Sequence, residues 1–183
     1  MLRVIAGKYR SRKLHDVLNS HTRPTTDKNK EVLFNTIGQF FEGGRMLDLF
    51  SGSGSLGIEA LSRGVDYADF VDNDLSAIKT IKLNLKNLEI TEKEYAIHCK
   101  DSLFFLNSTD KQYDLIIADP PYKLDFYEDI LKLISSRQLI NNNGIIVLES
   151  ESKRVMLEKF NSLVLFKVKT MGNTKLSFYR KEE

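Results

Sequence analysis

The sequence has few of the residues that build disulfides, metal sites and membrane spans. Among its 183 residues there is one cysteine, which cannot form an internal disulfide, and the three histidines show no ligand spacing, so we expect no metal. No apolar run approaches the roughly 18 residues of a membrane span, and residues 1–7 lack the apolar stretch of a signal peptide. We therefore predict a cytoplasmic protein without a membrane partner, and we infer no obligate protein partner.

The net charge of +2 is unevenly distributed along the chain. Residues 1–30 contain eight lysines and arginines against two aspartates, whereas the rest of the chain is slightly acidic. A basic end on an acidic body favours a polyanion partner at that end. A solvated surface segment is the alternative on charge alone.

From Arg45 onward, short apolar runs alternate with amphipathic helical patterns. This order predicts a parallel sheet with helices on both faces. Two further strands, joined through Gly172-Asn173, predict a closing antiparallel hairpin. The predicted strands are 46–50, 67–71, 94–99, 113–118, 144–149, 163–170 and 175–180, and the predicted helices are 55–63, 75–88, 102–106 and 127–134.

The first part of the chain has a different pattern. Weak alternation around Gly7 predicts a β-hairpin over residues 2–14, followed by a linker over 15–24. A helix then begins at Thr25 or Thr26 and ends at Gly43-Gly44. We thus predict a basic extension over 1–24 and a main domain over 25–183, in which 141–144 is a loop tip.

A glycine-rich loop follows the first core strand. Gly52, Gly54 and Gly57 match G-x-G-x-x-G between a predicted strand and a predicted helix, where glycines allow a tight turn and close approach to a ligand. Asp72 lies 20 residues after Gly52, at the end of the next strand, where a carboxylate accepts hydrogen bonds from ribose hydroxyls. The pattern predicts a nucleoside cofactor.

The loop is compatible with two nucleoside cofactors, a nicotinamide dinucleotide and S-adenosylmethionine. Asp48 precedes the glycines by four residues. A carboxylate there suits the ammonium group of a methionine moiety better than a pyrophosphate, which it would repel. Capping of backbone N–H groups in the loop is the alternative role for Asp48.

The turn Asp119-Pro120-Pro121-Tyr122 follows another apolar strand and holds two of the three prolines. Proline fixes its own φ and restricts the residue before it, so the turn is rigid. Asp119 and the Pro120 carbonyl can accept hydrogen bonds from an exocyclic amine, and Tyr122 can stack on the base that bears it. The alternative is an ordinary turn whose tyrosine fills a gap.

With these two motifs the chain resembles the class I S-adenosylmethionine-dependent amino methyltransferases. Residues 3–14 and 22–35 narrow the resemblance to the bacterial 16S rRNA guanine-N2 methyltransferase family (RsmD). The resemblance implies a Rossmann-like α/β fold with a seven-stranded, mostly parallel sheet, and methylation of the N2 amine of a guanine in small-subunit rRNA. Whether naked 16S rRNA or an assembled particle is the substrate stays open.

The resemblance also implies a role for each matching residue. Asp72 stands where many relatives have glutamate, so Asp74 is a second candidate for the ribose. The implied catalytic residues are Asp119, Pro120, Pro121 and Tyr122. The implied cofactor-binding residues are Asp48, Ser51, Gly52, Gly54, Asp72, Asp101 and Ser102. The implied RNA-binding residues are Lys8, Arg10, Arg12, Lys13 and Arg23.

Three other functions compete with this interpretation. A DNA adenine or cytosine amino methyltransferase can use the same proline turn, but the chain has no evident target-recognition domain. An NAD-type oxidoreductase would use the glycine loop and leave the proline turn unexplained. A non-catalytic RNA-binding module would need neither motif.

Overall fold

The structure, a computed structural model, describes residues 2–18 and 26–182. Eight strands form one sheet in the order β3-β2-β1-β4-β5-β8-β7-β6. The strands are β1 (Arg45–Leu49), β2 (Tyr67–Asp72), β3 (Tyr95–Cys99), β4 (Tyr113–Ala118), β5 (Ile140–Glu151), β6 (Lys159–Phe160), β7 (Leu163–Met171) and β8 (Thr174–Lys181). The helices are α1 (Asp27–Ile37), α2 (Ser55–Ser62), α3 (Leu75–Asn87), α4 (Ser102–Ser108) and α5 (Tyr127–Ser136).

Strands β1 to β5 are parallel, and β6, β7 and β8 are antiparallel to their neighbours. The predicted α/β architecture and C-terminal hairpin are therefore confirmed, with an eighth strand, the two-residue β6, added at the edge. The carboxyl ends of the five parallel strands meet along one border of the sheet, which we call the carboxyl edge. Ligands bind at this edge in open α/β sheets. No helix in the described ranges is long and apolar enough to cross a bilayer.

Two hydrophobic clusters cover the two faces of the sheet. Alternate strand residues point to opposite faces, so Met46 belongs to the cluster under α1, α2 and α3, and Leu47 to the cluster under α4 and α5. Strand β4 is apolar on both faces over residues 115–118, all of them buried. Burial on both faces is typical of a central parallel strand, and it fixes the position of the turn that follows β4.

The N-terminal segment folds back on itself but forms only one isolated antiparallel bridge, between Arg3 and Lys13, instead of two strands. Leu2, Val4 and Leu14 are buried in the cluster under α1 to α3. The segment thus packs on the helices of the main body, while the domain boundary at residue 24 stays a prediction. The predicted linker and start of the first helix fall mostly on residues 19–25, outside the described residues.

Two predicted boundaries are wrong. Helix α1 ends at Ile37, not at Gly43, because Gly38 takes a φ of 126° and its amide closes the last turn on Phe34. Residues 141–144 are part of β5, not a loop tip, since β5 already pairs with β4 at Ile140 and bulges before pairing again at Ile145. Strand β1, in contrast, matches the predicted strand 46–50 to within one residue at each end.

Candidate active site

The loop between β1 and α2 turns sharply at the carboxyl edge. Phe50, Gly52 and Gly54 have φ angles of 57°, 53° and 78°. A Cβ atom on Gly52 would meet no atom within 4 Å, whereas a Cβ on Gly57 would lie 2.3 Å from the ring of Phe70. The first glycine therefore leaves open space for a ligand, and the third lets the helix pack closely on β2.

Ser51 joins this loop to two strands. Its hydroxyl donates to the carbonyl of Asp48 at 2.6 Å and accepts from the amide of Val71 at 2.9 Å. The side chain is buried in these contacts. Ser51 thus shapes the loop, and its direct contact with a cofactor stays a prediction.

Asp48 is a buried carboxylate directly beneath the loop. Its Oδ2 accepts from the amide of Gly57 at 2.9 Å, so the capping role is present in the structure. We find no donor to its other oxygen within the described residues. Burial raises the pKa of Asp48 to about 8, with the Asp72 carboxylate adding to the effect and the Gly57 amide opposing it. A cationic group placed beside Asp48 would relieve this cost.

Asp72 ends β2 beside the glycine loop, as predicted from its spacing. Its Oδ2 accepts from the amide of Gly52 at 2.8 Å, and its Oδ1 accepts from the amide of Asp74 at 2.9 Å. Burial raises the pKa of Asp72, although these backbone hydrogen bonds oppose the shift. Asp74 instead caps α3 by accepting from the amide of Ser76 at 2.8 Å. Asp72 is therefore the better placed of the two for a ligand at Gly52.

Asp101 and Ser102 open α4 after β3, the next strand along the sheet. Asp101 caps this helix by accepting from the amide of Phe104 at 2.9 Å, and its side chain is exposed, whereas Ser102 is buried. Both lie at the carboxyl edge, on the far side of Asp72 from the glycine loop. Their contact with the cofactor, which the family resemblance implies, stays a prediction.

The Asp119–Tyr122 turn leaves β4 at the same edge. Asp119 is half-buried, Pro120 is buried and Pro121 is exposed. The hydroxyl of Tyr122 donates to Oε1 of Glu149 at 3.5 Å, and 41% of the surface of Tyr122 is exposed. Tyr122 thus lies exposed at the rim, while Asp119 and Pro120 lie deeper.

Glu149 is the site residue that the sequence analysis missed. Ala118 pairs with Leu148 in the parallel β4–β5 register, so the next residues along the two strands, Asp119 and Glu149, are neighbours. Glu149 has only 7% of its surface exposed, and burial raises its pKa to about 7. An acidic residue closing an apolar strand was the one available signal.

Three carboxyl groups interact at the centre of the carboxyl edge. Burial raises the pKa of Asp119 well above its usual range, and the nearby carboxylates of Glu149 and Asp48 raise it further. The pKa of Tyr122 rises to about 12, chiefly through burial. In the described part of the chain no group of three or more His, Cys, Asp or Glu residues is arranged to hold a metal ion. The cluster is suited to binding cationic groups and hydrogen-bond donors.

The predicted RNA-binding residues lie elsewhere. Lys8, Arg10, Arg12 and Lys13 are exposed around the turn of the N-terminal segment, which we call the basic turn (residues 8–13). The amide of Lys8 donates to the carbonyl of Ser62, at the C-terminal end of α2, which is the end away from the carboxyl edge. The Arg12 guanidinium donates to the carbonyl of Asn87 at 2.8 Å. Arg23 lies outside the described residues.

Comparison with known proteins gives a consistent set of relatives. Residues 2–180 match the family model described as "Conserved hypothetical protein 95". The chain is 44% identical to "Putative rRNA methyltransferase YlbH" of Bacillus subtilis, over 98% of this chain and 99% of that protein. It is 35% identical to "Ribosomal RNA small subunit methyltransferase D" of Haemophilus influenzae, over 98% of this chain and 93% of that protein.

A solved structure shares the whole fold. The structure named "Putative methyltransferase yhhF from Escherichia coli" superimposes with a TM-score of 0.88 at 27% sequence identity, covering 100% of this chain and 98% of that one. The similarity extends through the C-terminal hairpin, so the methyltransferase-like sheet predicted from the sequence is confirmed.

Proposed function

Since the chain belongs to the family described as "Conserved hypothetical protein 95", which confirms its predicted membership of the small-subunit rRNA methyltransferase D family, we propose that it methylates the N2 amine of a guanine in 16S rRNA. S-adenosylmethionine is the proposed methyl donor. One observation carries the proposal: the Asp119–Tyr122 turn, whose acceptor groups would suit an exocyclic amine, lies at the same edge as the space at Gly52. The relatives named as rRNA methyltransferases support RNA as the substrate over DNA.

The residues at the glycine loop suit S-adenosylmethionine. The free oxygen of the buried Asp48 would bind the α-ammonium group, and Asp72 would bind the ribose hydroxyls. The open space beside Gly52, where a Cβ would meet no atom within 4 Å, would let the ligand approach the backbone closely. A nicotinamide dinucleotide fits less well, since its pyrophosphate would lie near the carboxylates of Asp48 and Asp72.

The target nitrogen needs help from the protein because conjugation with the ring delocalises its lone pair. Asp119 and the Pro120 carbonyl would accept hydrogen bonds from the two amine hydrogens and so direct the lone pair toward the donor. When bound, S-adenosylmethionine would supply the methyl group as an activated sulfonium, whose C–S electrons would return to sulfur as the nitrogen lone pair takes up the methyl group. The nitrogen then loses one proton, which Asp119 is placed to accept.

RNA bases are best reached where they are unpaired or flipped out of a helix. The exposed ring of Tyr122 would stack on such a base at the rim of the site. The side chains of the basic turn, together with Arg23, would contact phosphates, which position an RNA without reading its sequence. With an rRNA substrate, we propose that the enzyme acts in the cytoplasm, on 16S rRNA or a small-subunit particle.

Mass mapping of 16S rRNA tests the function directly. Cells that lack the gene should lack one N2-methylguanine that wild-type cells contain. Particles from those cells should then accept one labelled methyl group from the purified protein and labelled S-adenosylmethionine. Particles from wild-type cells, already modified, are the matched control and should accept none. Label that enters only DNA, or an unchanged 16S map, would contradict the proposal.

A further inference from the structure

Glu149 is a buried acid that has no role in the reaction proposed above. It ends the apolar part of β5, and the one hydrogen bond of its carboxyl group within the described residues is the 3.5 Å contact from the Tyr122 hydroxyl. A carboxylate held this deep carries a desolvation cost unless further donors bind it. The remaining acceptor positions of Glu149 therefore suit a hydrogen-bond donor that the substrate supplies.

The strand register places that partner. Asp119 and Glu149 each directly follow one residue of the pair Ala118↔Leu148, so they stand side by side where the two parallel chains continue. Such strands lie about 4.8 Å apart. Residues paired in this way point to the same face of a sheet. Two carboxyl groups thus converge on one space at the carboxyl edge, with the Tyr122 ring at its rim. The raised pKa of Asp119, caused by burial and then by the Glu149 carboxylate, agrees with this proximity.

Among the bases that carry an exocyclic amine, only guanine presents two kinds of donor side by side. Its N1–H lies next to its N2 amine, whereas adenine and cytosine have an acceptor nitrogen next to theirs. We propose, on the basis of the function proposed above, that Glu149 accepts a hydrogen bond from N1–H of the target guanine while Asp119 holds its N2 amine. Glu149 is then the residue that selects guanine.

An analogue of the target base separates this role from a structural one. 2-Aminopurine keeps the amine at position 2 but has an acceptor at N1. It would be placed at the mapped position of 16S RNA by splinted ligation and assembled into particles. At a pH above the Glu149 pKa of about 7, wild-type protein should methylate guanine in strong preference to 2-aminopurine, because the ionised Glu149 carboxylate repels an acceptor.

The variant Glu149→Gln presents an amide that can donate to N1 of the analogue. We expect guanine methylation to fall by about 10-fold and the guanine to 2-aminopurine rate ratio to fall by roughly 30-fold or more. The affinity for S-adenosylmethionine, measured by calorimetry, should stay within about 2-fold. Glu151→Gln, an exposed position two residues along β5, is the control and should keep both the wild-type rate and the wild-type ratio.

The outcomes separate this inference from the proposed function. A folded Glu149→Gln protein with the wild-type ratio overturns the inference and leaves the function standing, as does a loss of cofactor affinity with no change in ratio. If Glu149→Gln does not fold, the variant Glu149→Asp is used. A wild-type rate of guanine methylation in that variant overturns the inference. A slower rate with the wild-type guanine to 2-aminopurine ratio supports it. Wild-type protein that leaves guanine unmethylated overturns both.

Discussion

Gly57 and Phe70 are in such close contact that a Cβ atom on the glycine would lie 2.3 Å from Cε1 of the ring. Phe70 is fully buried on β2, so its ring has little room to move aside. We expect Gly57→Ala to destabilise the protein by about 1–3 kcal/mol, because added volume in a packed core forces side chains and backbone to shift. Chemical denaturation measures the change.

A double-mutant cycle tests whether the contact with Phe70 causes the loss of stability in Gly57→Ala. Phe70→Leu removes part of the ring and lowers stability by itself, but it should reduce the additional cost of Gly57→Ala by 0.5 kcal/mol or more, as coupled neighbours do. Additive effects of the two substitutions would show that the glycine is needed for another reason.

Glu59 of α2 anchors the N-terminal segment from a fully buried position. It accepts from the amides of Ile5 and Ala6 at 2.8 and 3.0 Å and pairs with Arg63 at 2.8 Å and Lys30 at 3.6 Å. Glu59→Ala leaves two buried cations without their partner, so we expect a loss of about 3–5 kcal/mol in the free energy of unfolding.

Hydrogen exchange gives a local readout of the same substitution. The amides of Ile5 and Ala6 should exchange much faster in Glu59→Ala than in the wild-type protein. Glu31→Ala, an exposed position on α1, is the control and should change stability by no more than about 0.5 kcal/mol. Retained protection of the two amides would contradict the anchoring role.

The residues that carry local signals were predictable from the sequence. Glycines bounded by a strand and a helix identified the loop around Gly52, and paired prolines identified the turn at Asp119, because both motifs fix the backbone over a few residues. Apolar runs identified the central strands because a strand buried on both faces is apolar throughout.

The residues that depend on tertiary register were not predictable. Glu149 joins the site only because β5 pairs with β4 in the register that follows Ala118↔Leu148. The basic turn lies away from the carboxyl edge only because Lys8 binds at the end of α2, on Ser62. Neither relation leaves a pattern in the nearby sequence.

Asp119 should matter for turnover more than for cofactor binding. Asp119→Asn keeps the shape of the side chain but replaces one carboxyl oxygen by an amide group that cannot take up a proton, so the target amine loses an acceptor and a base. We expect kcat to fall by about 100-fold or more, while the affinity for S-adenosylmethionine changes little. The control is Asp129→Asn, an exposed position in the first turn of α5, which should keep the wild-type kcat. Equal rates for the two variants would show that the turn is not catalytic.

The buried carboxyl groups should make the ligand-free protein more stable at pH 6 than at pH 8. Burial raises the pKa of Glu149 to about 7 and that of Asp48 to about 8, above the values for an unfolded chain. Within that window the folded protein holds more protons, so its stability falls as the pH rises, by about 1.4 kcal/mol per pH unit for each proton. Asp119 and Tyr122 face Glu149, where the Tyr122 hydrogen bond opposes the upward pKa shift. Asp72 and Asp119 face Asp48, where the Asp72 carboxylate adds to the upward shift.

Thermal denaturation at pH 6, 7 and 8 tests this dependence. Glu149→Gln and Asp48→Asn should each flatten it, since neither replacement titrates. The control Glu151→Gln should keep the wild-type slope. A melting temperature that rises from pH 6 to pH 8 would mean that these carboxyl groups are not protonated in the folded protein.

The basic turn should strengthen RNA binding without changing catalysis. It lies at the C-terminal end of α2, and eight residues of helix, roughly 12 Å, separate it from the carboxyl edge. With about four phosphate contacts, the logarithm of RNA affinity should fall with the logarithm of salt concentration at a slope of roughly −3. Replacing Arg10 and Lys13 by alanine should reduce the slope by about 1.5.

Single-turnover rates at saturating RNA complete the test, because a phosphate contact this far from Asp119 affects how much RNA is bound and not how fast it reacts. The double variant should therefore keep the wild-type rate within about 2-fold while its affinity falls. Alanine at Lys132 and Lys159, two exposed lysines removed from the basic turn, should leave the salt slope unchanged. A wild-type slope in the Arg10 and Lys13 variant would show that the RNA does not contact the turn, because lost phosphate contacts must lower the number of counterions released.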